Sequence, residues 1–188
     1  RKCCRMSAQV LQAVAAEVKA GVTTAELDDL ARAMIVKMGA KTSFFGYHGY
    51  PAAMGISIND EGIHGIPQAR EIRSGDLVSL DVGVYYKGFH GDNATTVMVG
   101  VVEPDAIRLV EATRRALQQG IAAAKPGGRL SDISHAVECA ATASGCSVVR
   151  QFVGHGVGRH LHEEPQVPNY GLPGKGPVLR AGMTLAIE

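Results

Sequence analysis

Asp81 stands inside the run Leu77-Val78-Ser79-Leu80-Asp81-Val82-Gly83-Val84, where a carboxylate is costly to bury unless it is paired or bound to a cation. Asp92 follows in Gly88-Phe89-His90-Gly91-Asp92. If the glycine-rich stretch between them is a turn, the two carboxylates come to face each other on antiparallel strands, and a divalent cation would relieve their repulsion. Alone, Asp92 reads equally well as a turn residue; for Asp81 a turn reading fails, and a buried, hydrogen-bonded carboxylate is the lesser alternative. His155 lies among glycines in Gly154-His155-Gly156-Val157-Gly158, His162 follows in Leu161-His162-Glu163-Glu164-Pro165, and Glu188 ends the apolar stretch Met183-Thr184-Leu185-Ala186-Ile187. A single histidine is more often structural than a ligand. The set of Asp, Asp, His and Glu, each on or beside a strand, is what suggests a metal. Oxygen-rich ligation with one imidazole suits Mn, Fe, Co or Zn. Bridging carboxylates suit two ions about 3.5–4 Å apart.

The elements that must hold these residues show a repeat. Residues 7–20 carry Val10, Leu11, Val14 and Val18 on one helical face and stop at Gly21. Thr23 and Glu26 form a capping-box pattern for a second helix with Leu27, Leu30, Ala31, Met34 and Ile35, ending at Gly39. Residues 105–124 form a third helical stretch, with Ile107, Val110, Ala116, Leu117 and Ile121. A fourth carries Ile133, Ala136, Val137, Ala140 and Ala141 and stops at Gly145. A shift of 106 positions places Gly21 on Gly127, Gly39 on Gly145 and Leu27 on Ile133 without a gap, although Arg129 is a poor replacement for the capping Thr23. Strand-like runs follow each helix pair: Leu77–Val84 and Ala94–Val101, then Ser147–Val153 and Met183–Ile187. The fold class expected is α+β, a single domain of two related halves, about 1–102 and 103–188. Each half has two helices and antiparallel strands, with a ligand cleft expected between the halves.

Composition narrows the setting. With 46% hydrophobic and 20% charged residues the chain is globular rather than disordered. A net charge of +1 gives no basic face for nucleic acid or an anionic membrane. No apolar run reaches the roughly 20 residues that span a bilayer. Cys3, Cys4, Cys139 and Cys146 form no C-x-x-C pair and read as reduced thiols of a cytoplasmic protein without a signal peptide.

Six segments taken together make the pattern specific. Gly46-Tyr47-His48-Gly49-Tyr50-Pro51, Gly62-Ile63-His64-Gly65-Ile66-Pro67, Leu80-Asp81-Val82, the two glycine-flanked motifs around His90 and His155, and His162-Glu163-Glu164-Pro165-Gln166-Val167 occur in the order found in methionine aminopeptidases. The short interval from His162 to Glu188 resembles the type I enzymes. The resemblance covers essentially the whole chain and implies the pita-bread fold. It further implies two divalent ions, with Asp81 chelating one, Asp92 bridging, and His155 and Glu188 on the other. His64 would hydrogen-bond the scissile amide and His162 the substrate carbonyl. Tyr47, Tyr50, Gly55 and Leu161 would line the methionine pocket, and the loop at Asn59 would bind a monovalent cation. The implied reaction removes the initiator methionine before a small second residue, by attack of a metal-bridging hydroxide. Partners would be N-terminal methionyl peptides, with the ribosome within reach of such a role, and the protein would be a monomer.

The chain departs from the family at Leu161, where an aromatic is common, and at Gly55, where cysteine is frequent and whose lack of a side chain adds room. The family also has a second bridging glutamate and closing strands beyond the position of Glu188. Residues 1–188 are therefore expected to be incomplete at the C-terminus and weakly active alone. Two competing readings share the fold: a proline-specific peptidase and a non-catalytic binding protein. The segments at His64 and His162 argue against the first. The retention of all four ligands and the near-zero net charge argue against the second.

Overall fold

The stripe Val10, Leu11 and Val14 is buried along α1 (Lys2–Glu17), which starts earlier than its apolar periodicity suggested because Cys3 and Met6 are buried as well. Helix α2 (Thr24–Lys37) opens on the expected capping box. The Thr23 hydroxyl accepts the Glu26 N–H at 3.2 Å, and the Glu26 carboxylate accepts the Thr23 N–H at 2.7 Å. These bonds hold the Glu26 carboxyl below its usual pKa, the backbone bond contributing most. In this computed structural model, which describes residues 1–188, the chain forms two compact units. One comprises Arg1–Pro104 with Arg159–Leu161, the other Asp105–Gly158 with His162–Glu188.

The first unit is an antiparallel sheet of β1 (Lys41–Thr42), β2 (Met54–Ile58), β3 (Leu77–Tyr86) and β4 (Phe89–Met98). Strand β3 is central, pairing with β1 and β2 on one edge and β4 on the other. Lys87 (φ 49) and Gly88 (φ 85) make the two-residue turn between β3 and β4, with the left-handed backbone that such hairpins require. Val78, Leu80, Val82 and Val84 alternate onto the face packed against α1 and α2, where Met6, Val10, Val14, Leu27, Ala31 and Ile35 complete the core. Each fully buried aliphatic side chain contributes roughly 1.5–3 kcal/mol. Asp28 ties α2 to β2: its Oδ1 accepts the N–H groups of Ala53 (2.8 Å) and Met54 (2.9 Å), and its Oδ2 lies 3.3 Å from Arg32.

The second unit contains α3 (Pro104–Ala123), α4 (Leu130–Ala143) and the strands β5 (Gly154–Gly156), β6 (Glu163–Val167) and β7 (Leu185–Ala186), with β5 in the middle. Its buried residues include Leu130, Ile133, Val137, Val167 and Leu179. Two expectations are corrected here. Residues 147–153 form no strand: no neighbour offers them a ladder, and Val149 and Phe152 stay exposed. On α3 the buried positions are Ala112, Ala116 and Gly120, while Leu117 and Ile121 are exposed. Small residues win because a Cβ at Gly120 would lie 2.7 Å from the Val137 methyl, so close helix packing excludes larger ones. No helix is long and apolar enough to cross a membrane.

The repeat is visible in backbone hydrogen bonds. In the first unit a strap of residues 68–72 pairs with the start of α2: Gly21 N–H to Ile72 O, Ile72 N–H to Val22 O, Thr24 N–H to Arg70 O and Ala25 N–H to Gln68 O. In the second, residues 175–179 pair with the start of α4: Gly127 N–H to Leu179 O, Leu179 N–H to Gly128 O, Leu130 N–H to Pro177 O and Ser131 N–H to Lys175 O. The helix positions differ by 106 and the strap positions by 107. The weak cap at Arg129 is compensated within this scheme. Arg129 has no acceptor to offer, but the Asp132 carboxylate accepts the N–H groups of Arg129 (2.7 Å) and Gly174 (2.8 Å).

Two substitutions separate these contributions. Thr23→Ala removes one exposed cap and should cost about 1 kcal/mol. Asp28→Ala strands two buried N–H groups, each worth roughly 1–3 kcal/mol, and should cost more. Urea denaturation of both variants measures the difference, and the larger loss is expected for Asp28→Ala.

Candidate functional site

Register decides what the β3–β4 hairpin presents. Asp81 pairs with Ala94 and Gly83 with Asp92. Paired residues of antiparallel strands share a face, as do residues two apart. Asp81 and Asp92 therefore occupy one diagonal of a four-residue square, with Gly83 and Ala94 on the other. Both carboxylates are half-buried, and Asp92 lies within a strand rather than in a turn. The opposite face of the same strands is the apolar core.

Gly83 has a specific use. A Cβ there would lie 2.7 Å from the Phe44 ring and from the Ser43 Cβ, so the glycine lets Phe44 lie against the strand beside Asp92's partner position. Phe44 meets Tyr50 edge to face, with centroids 6.4 Å apart. The sequence reading missed Phe44; the signal available was a glycine inside a run of β-branched residues, which often marks a close approach. Gly55 on β2 pairs with Asp81 from the other side. A Cβ on Gly55 would meet the Asp81 Cβ at 3.6 Å, the His64 Cα at 3.7 Å and the Tyr50 hydroxyl at 3.9 Å. Gly55, Asp81, His64 and Tyr50 are thus neighbours.

His64 is exposed and has φ 64, a left-handed conformation that costs a non-glycine residue free energy. The loop around it is bound to β2: Ile56 N–H donates to Gly65 O, Gly65 N–H to the Ser57 hydroxyl, and that hydroxyl to Gly62 O. Tyr50 adds a further tie, its hydroxyl donating to the carbonyls of Gly65 (2.8 Å) and Met54 (3.1 Å). Tyr47 sits in a short 3₁₀ turn, partly exposed, with its ring against His48. Asn59 has both ends of its amide engaged, donating to Asp76 and accepting the Leu77 N–H, each at 2.9 Å. That side chain links β2 to β3. Leu161 is buried.

In the second unit His155 is buried at the middle of β5, between β6 and β7. The glycines of its motif serve the neighbouring strands. A Cβ at Gly154 would collide with Ala186 O, one at Gly156 would lie 2.5 Å from Glu164 O, and one at Gly158 would lie 2.8 Å from the Glu163 carboxylate. His155 Nδ1 is 2.8 Å from Gly156 O, a partner that can only accept, so Nδ1 carries a proton. Nε2 then faces Glu188 Oε1 at 3.2 Å. A neutral imidazole would set a lone pair against a carboxylate oxygen, and only a cation, a proton or a metal ion, reconciles them. This donor set fits a divalent ion: imidazole Nε2 with its other nitrogen anchored on a carbonyl, beside a carboxylate. The His162 ring lies 4.3 Å from that of His155, centroid to centroid.

Burial raises the Tyr50 phenol to about 12, and the charges of Asp28 and Asp81 push the same way. The hydroxyl stays protonated and donating at neutral pH. A folded value above the ordinary 10 favours the folded state below pH 10, and that contribution is lost as pH rises toward 12. Absorbance titration of the metal-free protein should show a late phenolate step that Tyr50→Phe removes.

Comparison with known proteins follows the same lines. The profile of metallopeptidase family M24 matches residues 1–188. The chain is 48% identical over 171 residues to methionine aminopeptidase 1 of Bacillus subtilis, covering 91% of this chain and 69% of that one. The crystal structure of methionine aminopeptidase from Thermotoga maritima superposes with a TM-score of 0.96 at 43% identity, over 99% of this chain and 75% of the other. The prolidase of Pyrococcus horikoshii superposes at 0.83 with 25% identity, over 99% and 51%.

Proposed function

The chain belongs to metallopeptidase family M24 and has its pita-bread fold, and on that footing we propose that it is a methionine aminopeptidase, a metal-dependent hydrolase that removes methionine from the N-terminus of peptides. The observation that carries this reading is near-half identity to methionine aminopeptidase across almost the whole chain, with 43–48% identity to those enzymes against 25% to the prolidase. The proline-specific alternative is not favoured.

The ligand set is Asp81, Asp92, His155 and Glu188, enough to hold two ions if Asp92 bridges, with Co, Mn, Fe or Zn suited to the donors. Bound divalent ions supply a water acidic enough to act as the nucleophile near neutral pH. The chain's own residues do the rest. His162 donates a hydrogen bond to the substrate carbonyl oxygen as negative charge develops there. His64, presented on its strained loop, holds the amide of the bond to be cut. Tyr50, kept neutral by burial, fixes that loop while its ring, with Phe44, Tyr47 and Leu161, surrounds the methionine side chain. Gly55 leaves the space beside Asp81 open. A small second residue is preferred because a bulky one would crowd the entrance. The loop at Asn59 is the candidate for a monovalent cation. The two halves, about 1–102 and 103–188, work as one catalytic domain of a cytoplasmic monomer acting on nascent chains near the ribosome.

Exhaustive chelation should abolish cleavage of Met-Ala-Ser, and added Mn, Co or Fe should restore it. Asp92→Asn should lose metal and turnover together. Full activity in the stripped protein would overturn the assignment.

His162→Ala should lower kcat by about 10²–10³, the scale of one lost oxyanion donor. Its metal content, read by elemental analysis, should remain at the wild-type level. An emptied metal site in that variant would make His162 a ligand instead.

A further inference from the structure

Asp92 can serve as a ligand only if β4 holds it still, and β4 is gripped on its other face by the start of α1. The two residues flanking Asp92 both point that way. Gly91 lies so close to α1 that a Cβ would stand 2.5 Å from the Cys3 carbonyl carbon and the Cys4 nitrogen. Asn93 reaches the same helix: its Nδ2 donates to the Ser7 hydroxyl at 2.5 Å and to Cys4 O at 3.3 Å. The Ser7 hydroxyl donates in turn to Cys4 O at 3.2 Å, closing a three-membered polar network. One turn earlier, the Cys3 thiol donates to the carbonyls of Tyr86 and Phe89, at the two ends of the β3–β4 turn, each at 3.4 Å.

Packing alone does not call for this chemistry. Ser7 is fully buried and sits with Met6, Val10 and Val14 on the face of α1 that covers the sheet. Aliphatic residues would fill such an interface without the desolvation cost of a hydroxyl and an amide. Apolar contact is non-directional, however, and lets a strand shift by a fraction of an ångström along the helix. A hydrogen bond fixes distance and angle. The polar pair stands at the residue next to Asp92, where such a shift would move a carboxylate.

We propose that Ser7 and Asn93 are positioning residues that set Asp92 for metal binding, with the Gly91 contact as the stop against which the strand rests. This rests on the reading of Asp92 as a ligand. Groups that orient ligands typically change metal affinity by about 10–100-fold when removed.

The test is calorimetric titration of Mn²⁺ into chelator-stripped residues 1–188, with the Tm of each stripped variant measured alongside. Ser7→Ala and Asn93→Ala should each weaken Mn²⁺ binding about tenfold or more. The double variant should weaken binding by less than the product of the two single effects, because the singles share the Asn93–Ser7 bond. Asn93→Leu, which restores apolar bulk, should raise the Tm above that of Asn93→Ala without recovering affinity. If the variants lose only Tm while the Mn²⁺ Kd stays at the wild-type value, or if Asn93→Leu recovers it, the pair is structural and the proposal fails. If Asp92→Asn leaves Mn²⁺ binding intact, the ligand reading fails instead, and the positioning role with it.

Discussion

A slip of β4 by one residue along β3 would carry Asp92 from the face it shares with Asp81 into the apolar core, and turn Gly91 and Asn93 out of it. Side chains alternate strictly along a strand, so register alone decides whether the two carboxylates share a face. Several devices bear on it. The Lys87-Gly88 turn allows only a tight connection between the strands. Four β3 valines and leucines in the core make any slip costly. The Cys3 thiol bonds both ends of the turn, and Asn93 is tied to α1. The placement of the two carboxylates on one face is thus enforced largely from the side of the sheet that never meets them.

Much of this could be read before any coordinates. Thr23 and Glu26 announced a helix start because a capping box is local, written within four consecutive residues. Asp81 and Asp92 could be placed on facing strands because the turn between them is short and glycine-containing. The 106-residue offset survived because helix stops at glycine are equally local. What escaped depended on long-range partners. Ser147–Val153 has the composition of a strand but no neighbour to pair with, whereas Glu163–Val167, with its two glutamates and proline, is a strand because β5 lies beside it. Phe44 was invisible because its role depends on an absence, the missing side chain of Gly83, 39 positions away in a different element.

The glycines around His155 illustrate the same dependence. A sequence reading gives them to backbone or ligand approach. The structure gives them to the backbone: β6 and β7 come so near that no Cβ fits at Gly154 or Gly156. The imidazole itself is held by the backbone as well. With Nδ1 committed to the following carbonyl, Nε2 lies 3.2 Å from Glu188 Oε1.

The paired straps bear on ancestry. Two sets of four backbone bonds, made between residues of mostly different type at an almost constant offset, are hard to arrive at twice by separate routes. They point to duplication of a half-length ancestor, with one residue gained or lost between helix and strap since. Backbone bonds persist through such drift because they do not depend on which side chains are present. Divergence was then free to specialise the copies, leaving a pair of aspartates in one and two histidines with a glutamate in the other.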